Sequence, residues 1–351
     1  MKKIILVALA FAFFVQLNAQ NSKRVLFVGN SYIYTNDLPN MLKTLAAGCG
    51  DTLIYSQSTP GGCTFQSHLS NSNTMNYINE GGWDNVVLQE QSQYPSFPIG
   101  QVQNMCFPYA AQLCEKVRAT SPDAQVTFFM TWGRKNGDAQ NCAEYPPLCT
   151  YEGMDSLLAL RYMMMAEMND AAVAPVGRVW RAIREQHPEI ELYNADESHP
   201  SVAGSYAAAL TFYTLIFHHS PTCISNDLSL SADVAQILRE TVETVVYDSL
   251  TYWLAWWEYS DIEDVIVGNE CTSDLKVYPN PTHDVLHVQW DDANAPSISL
   301  SLVDVCGKLI QQLTAEGNSA EVNLSDFPSG LYFVRVMLPS GESAIVKVVR
   351  K

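Results

Sequence analysis

From residue 24 to about 217, short apolar runs alternate with stretches whose apolar residues recur at helical spacing. Val25 to Val28 is wholly apolar, the pattern of a central parallel strand covered on both faces. Residues 53–55, 85–88, 126–131 and 172–174 predict further strands. Helical spacing covers residues 38–47, 109–119, 154–169, 178–186 and 201–217, the last preceded by Pro200, where a helix start tolerates proline. Alternation of this kind predicts a parallel sheet flanked by helices with right-handed crossovers, and ligands on such sheets bind beyond the carboxyl ends of the strands. Ser31 and Gln89 each follow a predicted strand, so both are expected at that rim. Residues 231–257 predict one long helix capped by Ser231, its aromatic end (Tyr252, Trp253, Trp256, Trp257) serving packing.

Near residue 265 the pattern changes. Residues 266–273 suit a linker, and short alternating strands follow over 276–278, 285–290, 297–305, 307–313, 330–338 and 343–349. Gly307-Lys308, Pro328-Ser329-Gly330 and Pro339-Ser340-Gly341 supply turn chemistry between them. The expected layout is residues 1–20 as a targeting segment, 21–265 as an α/β domain, 266–273 as linker and 274–351 as a small all-β sandwich.

The targeting segment rests on Lys2 and Lys3, an apolar run from Ile4 to Val15, and Ala19 before a cut ahead of Gln20 or Asn21. The run is too short to span a bilayer. The formal charge of −17 becomes more negative once those lysines are removed. So acidic a chain argues against nucleic acid and against electrostatic docking on anionic lipid. Nine cysteines, an odd number, follow the segment, which fits an oxidising compartment with structural disulfides and a leftover thiol. Cys142 and Cys149 are spaced to close a short loop, and Cys49 and Cys63 are candidate neighbours. No C-x-x-C pair or tight Cys/His cluster points to a metal, and no cofactor is expected.

The candidate chemistry lies in two segments. Val25-Leu26-Phe27-Val28-Gly29-Asn30-Ser31 places a hydroxyl just beyond a strand, where backbone amides can face an oxyanion. Asp196-Glu197-Ser198-His199, in a loop expected between a strand and a helix, offers an imidazole and a carboxylate three residues apart. Ser31, His199 and Asp196 together supply a nucleophile, a base and a group that orients the base. Oxyanion donors are sought at the Ser31 amide, at Gly61 or Gly62 in Ser58-Thr59-Pro60-Gly61-Gly62, and at the side chain of Gln89 or Gln91. Tyr32, Tyr34, Tyr94 and Trp132 follow strands and are expected near a pocket, either for sugar stacking or for packing. Arg134 suits either an anionic substrate group or an internal salt bridge.

The order and spacing of these segments over residues 24–217 resemble the SGNH (GDSL-like) hydrolases. Asn30 stands where that family usually has aspartate, and no Gly-x-Asn-Asp block is present. Leu88-Gln89-Glu90-Gln91-Ser92 resembles instead a glutamine version found in some carbohydrate esterases of the clan, with Gln89 the first choice and Gln91 the second. The resemblance implies a flavodoxin-like three-layer α/β/α fold. It implies ester hydrolysis through an acyl-serine intermediate, with O-acetyl carbohydrate as the expected substrate class. A non-catalytic surface glycan-binding protein on the same fold, or a lipase or thioesterase, are the alternatives. The C-terminal part resembles the type A sorting domain of the type IX secretion system of Bacteroidetes. That likeness is carried by Val277-Tyr278-Pro279-Asn280-Pro281, Leu302 to Lys308, and Leu324 to Val334 with Pro328-Ser329-Gly330-Leu331-Tyr332. It implies passage through the periplasm, the secretion machinery as partner, and release or attachment to surface lipopolysaccharide.

Overall fold

The computed structural model describes residues 21–255, 276–290, 297–304, 309–317, 319–327, 330–337 and 343–350. The targeting segment, the linker, Trp256 and Trp257 lie outside them.

Five parallel strands form the central sheet: β1 (Ser22–Val28), β2 (Thr52–Ser58), β3 (Asn85–Leu88), β4 (Gln125–Phe129) and β5 (Ala172–Ala174). Their spatial order is β2-β1-β3-β4-β5, the flavodoxin-like winding. Winding reverses between β1 and β3, which pair directly with Val28 opposite Leu88. The loops leaving these two strands therefore open side by side at the switch point. Val25 to Val28 and Val86 to Leu88 are fully buried, as two-sided cover requires.

The helices are α1 (Ser31–Tyr34), α2 (Leu38–Gly48), α3 (Phe65–Ser70), α4 (Ser72–Glu80), α5 (Ile99–Met105), α6 (Phe107–Thr120), α7 (Tyr151–Met168), α8 (Val176–Gln186), α9 (Val202–Phe217), α10 (Ala232–Val242) and α11 (Leu250–Ala255). α9 is apolar all round and buried from Ala203 to Phe217, so it is a core helix rather than a surface one. Gly204 is required there: a Cβ would sit 2.4 Å from both the Leu192 carbonyl oxygen and Trp180 Cζ2. The long helix expected over 231–257 is interrupted, since a π-helical turn at Glu243–Tyr247 separates α10 from α11. Trp253 is buried there and donates to the Val245 carbonyl at 2.8 Å.

Cys142 bonds to Cys149. Cys49 bonds to Cys223, 174 residues away, and not to Cys63, which is a free buried thiol.

The C-terminal strands are β6 (Lys276–Tyr278), β7 (Val285–Gln289), β8 (Ser297–Asp304), β9 (Leu309–Glu316), β10 (Ser319–Asn323), β11 (Gly330–Met337) and β12 (Ser343–Arg350). They form two antiparallel sheets, β10-β7-β6 and β12-β11-β8-β9. Leu286, Val288, Trp290, Leu300, Leu302, Val334 and Val348 make their core. Among the described residues, no helix is long and apolar enough to cross a membrane.

Candidate active site

Ser31 opens α1 directly after β1, with Asn30 as the cap. The Asn30 side chain accepts the Tyr32 amide at 3.3 Å and donates to the Cys63 carbonyl at 3.1 Å. The Asn30 backbone amide donates to Gln89 Oε1 at 2.9 Å. The other end of the same peptide unit, the Gly29 carbonyl, lies 2.9 Å from His68 Nε2. A carbonyl only accepts, so Nε2 carries the proton and Nδ1 accepts from the Thr74 hydroxyl, 2.8 Å away. Thr74 in turn accepts from Ser58 at 2.8 Å. Burial holds His68 down at about 4, the bond to Gly29 opposing it, so the ring is neutral near pH 7. One peptide unit ahead of Ser31 is thus clamped at both ends. Gly29 has to be glycine, because a Cβ would stand 2.5 Å from Ile33 Cδ1 and 2.6 Å from Gln89 Oε1.

His199 comes from the loop between α8 and α9. The strand expected before this loop is absent; an isolated bridge from Tyr193 to Pro200 closes it instead. Glu197 adopts φ +60°, a left-handed turn uncommon for a non-glycine residue. Across that turn the Ser198 and His199 amides come back to Asp196 Oδ1 at 3.1 and 3.0 Å. Asp196 Oδ2 bonds to His199 Nδ1. His199 Nε2 lies 2.8 Å from Ser31 Oγ. Ser31, His199 and Asp196, 168 and 165 positions apart in sequence from first to last members, therefore form one continuous hydrogen-bond chain. Partial burial alone would raise Asp196, but the imidazole and the two amides win and hold its carboxyl below the usual range. The loop is tied to the segment after β4: the Lys135 amide donates to the Glu197 carbonyl at 2.9 Å, and Trp132 Nε1 donates to the Ser198 carbonyl at 3.1 Å.

The expected oxyanion donors divide. Among the described residues, the amides of Ser31, Gly61 and Gly62 have no acceptor. Gly61 and Gly62 are exposed in the turn after β2, whose Cys63 end is held by Asn30. Gln89 does not fit the role expected of it. It has no solvent exposure, its Oε1 takes the Asn30 amide, and its Nε2 donates to the Glu90 carbonyl. A ligand oxygen cannot reach it, and its function is to position the peptide before Ser31. Gln91 is half-buried; its Oε1 accepts the Gln93 and Tyr94 amides at 2.7 and 3.2 Å, and its Nε2 has one long contact of 3.3 Å to Gln93. Each side-chain amide has a second N–H to give, but of the two glutamines only Gln91 is partly exposed.

Two of the aromatics placed near a pocket belong to the interior. Tyr32 and Trp132 are buried and stack face to face, with centroids 4.7 Å apart, and Trp180 stacks on Trp132 at 3.7 Å. Tyr94 is half-buried against Phe97. Tyr34 alone of the four is exposed, at 49%, with its hydroxyl beside Gly61. Arg134 pairs with the buried Asp138 at 3.2 Å, and Asp138 also accepts from Gln93 at 2.7 Å. Arg134 is thus committed within the fold. Among the described residues, no group of three or more His, Cys, Asp or Glu side chains is placed to hold a metal.

Sequence reasoning missed His68, the Tyr32–Ser198 contact and Glu90. Glu90 has no exposure and accepts the Phe65 and Gln91 amides at 3.0 and 2.7 Å. Only its place between two singled-out glutamines could have drawn notice.

Residues 276–351 match the model of the secretion system C-terminal sorting domain. That domain marks a protein exported by the type IX system to the cell surface or the extracellular space, and it implies contact with the secretion machinery. The α/β domain shares its fold with a DUF4886 family protein from Bacteroides uniformis (17% identity, TM-score 0.54, 66% of this chain and 96% of that one). It is also similar to a putative SGNH hydrolase from Slackia heliotrinireducens (29% identity, TM-score 0.46, 55% and 98%). A third similar structure is the lipase/acylhydrolase from Enterococcus faecalis (14% identity, TM-score 0.42, 57% and 98%). No curated protein matches the chain. The five-stranded parallel sheet with flanking helices is shared with the DUF4886 family protein, and the likeness is one of fold.

Proposed function

We propose that residues 21–265 form a serine ester hydrolase, joined by a linker over 266–273 to the sorting domain over 274–351. The observation that carries this reading is the hydrogen-bond chain from Ser31 Oγ through His199 to Asp196. In the acylation step Ser31 Oγ forms a bond to the acyl carbon while its proton passes to His199 Nε2. Asp196, kept ionised, stabilises the imidazolium and holds its tautomer. Charge developing on the carbonyl oxygen is met by the Ser31 amide, by the Gly61 or Gly62 amide and by the Gln91 side chain; one such donor contributes roughly 10²–10³ in rate. The alcohol leaves with the proton from His199, giving an acyl-serine. Water then attacks by the same route in reverse, with His199 taking its proton, and the acid is released.

The substrate class we favour is an O-acetyl carbohydrate. His199 and Asp196 are 34% and 49% exposed, so the reacting centre lies open at the surface. An open rim suits a short acyl group on a bulky alcohol better than a long buried chain. Tyr34 offers an exposed ring face at that rim.

The test is turnover of p-nitrophenyl esters of increasing chain length, with a panel of acetylated glycans, by wild type and Ser31→Ala. Fastest turnover of acetyl and its loss in Ser31→Ala are expected. Equal turnover by the two proteins overturns the enzyme reading in favour of glycan binding, and rates that rise with chain length overturn the acetyl preference in favour of a lipase or thioesterase.

A further inference from the structure

The His199 imidazole is bonded at Nδ1 to Asp196 and at Nε2 to Ser31, two contacts that leave the ring free to roll about the line joining them, and His199 and Asp196 are both open to water. What fixes the ring plane has to come from the buried side. There, the Tyr32 ring stands nearly perpendicular to the His199 ring, at 74° with centroids 5.5 Å apart. The Tyr32 hydroxyl lies 2.8 Å from Ser198 Oγ, on the residue just before His199. The Ser198 carbonyl is taken by Trp132 Nε1–H, and Trp132 itself is sandwiched between the faces of Tyr32 and Trp180. Tyr32 is 2% exposed and immediately follows Ser31. One residue therefore joins the loop of the hydroxyl to the loop of the imidazole, 166 positions apart.

We propose that Tyr32, through its hydroxyl on Ser198 and its ring against the imidazole, is the positioning residue that sets the approach of His199 to Ser31. The inference rests on the reading of His199 as the base. It assigns Tyr32 no contact with substrate and no proton transfer. Its ring supplies a wall that the imidazole cannot tilt through. Its hydroxyl anchors the backbone that carries the imidazole, and the Trp132–Trp180 stack keeps the ring itself from moving. Small displacements of a catalytic base are costly, with a misplacement of about 1 Å capable of losing about 10²-fold in rate.

The test uses the full-length protein and p-nitrophenyl acetate. Wild type, Tyr32→Phe, Ser198→Ala, the double variant and Ser31→Ala are compared, with kcat expressed per site titrated by a covalent alkylphosphonate probe for the proteins that keep Ser31, and turnover per mole of protein for Ser31→Ala. Counting reactive sites removes the contribution of misfolded molecules. Tyr32→Phe and Ser198→Ala are each expected to lower kcat per site about tenfold, with KM within about twofold of wild type. The double variant is expected to be no worse than Tyr32→Phe alone, because Ser198→Ala removes a hydrogen bond that Tyr32→Phe, which also takes the hydroxyl from Ser92, has already removed. Wild-type kcat per site in both single variants, with turnover abolished in Ser31→Ala, overturns the positioning role and leaves the esterase reading standing. Losses that multiply in the double variant also overturn it. Turnover that survives Ser31→Ala overturns both. If Tyr32→Phe fails to fold, Ser198→Ala, at a partly exposed position, decides the question alone.

Discussion

Glu90 makes the floor of the site sensitive to pH in an unusual direction. Its carboxyl has no solvent exposure, and burial raises it from 4.5 to about 8, against the pull of the Gln91 and Phe65 amides and the Cys106 thiol. Between those two values the unfolded chain has released a proton that the folded chain still holds. Stability from this group is therefore greatest at low pH. It declines as pH rises past about 4.5 and levels off above about 8. At 1.36 kcal/mol per pH unit the full penalty is on the order of 4–5 kcal/mol, of which roughly 3 kcal/mol is already present at neutral pH. Glu90→Gln keeps the side-chain shape and an oxygen for both amides while removing the charge. The variant is expected to match wild type within about 1 kcal/mol near pH 5 and to exceed it by about 4 kcal/mol near pH 9. Urea unfolding followed by circular dichroism at 222 nm, across that pH range, measures the difference; the helices among the described residues all lie in the α/β domain. Activity supplies a second readout. The Glu90 carbonyl receives Gln89 Nε2, and Gln89 receives the Asn30 amide, so charging Glu90 loosens the turn that carries Ser31. Wild-type turnover is expected to fall at alkaline pH before that of the variant. Parallel stability curves for the two proteins would refute the argument, since they would mean that Glu90 is already ionised in the fold or finds a compensating partner.

Asp196→Asn should lower kcat by about 10³–10⁴ with KM little changed, because an amide neither stabilises the imidazolium nor enforces the tautomer; steady-state kinetics checks it. Gly204→Ala, whose new methyl would meet Leu192 and Trp180 at 2.4 Å, should cost about 1–3 kcal/mol in urea unfolding, and an unchanged midpoint contradicts the close packing. Replacing Cys49 and Cys223 by alanine opens a bridge spanning 174 positions and should cost about 3–5 kcal/mol, against about 2 kcal/mol for the bridge between Cys142 and Cys149, which spans 7. Thermal unfolding of the two double variants ranks them, and the reverse order would count against the chain-entropy account.

What could be read from the sequence, and what could not, follows from how far apart interacting residues lie. Strands β3, β4 and β5 and the second half of β1 were legible because both their faces are covered, so burial writes an apolar run into the chain itself, whereas the edge strand β2 shows only the short run Leu53 to Tyr55 and leaves Ile54 exposed. Helices α3 and α4 were not, because the segment Ser67 to Asn79 is mostly polar and contributes only His68, Thr74 and Ile78 to the interior. Two of those three are polar residues in the chain that reaches the Gly29 carbonyl, so the signal that marks a core helix was spent on holding the site. Asp196 and His199 were legible as a pair since three residues separate them and local loop geometry suffices to join them. The choice between Gln89 and Gln91 depends on which side chain continues the burial of β3 and which stays partly exposed, and the two positions have the same residue type. Tyr32 and Trp132 were placed near a pocket because they follow strands, yet each is taken into the interior by partners beyond 45 positions away: Ser198 for both, and Trp180 for Trp132. The composition of the reacting groups is thus a local property of this chain, whereas their alignment is not. A hydroxyl and an imidazole supplied by distant loops meet at 2.8 Å only because buried residues with no chemistry of their own, Gln89, His68, Tyr32 and Trp132, each bridge two loops from beneath.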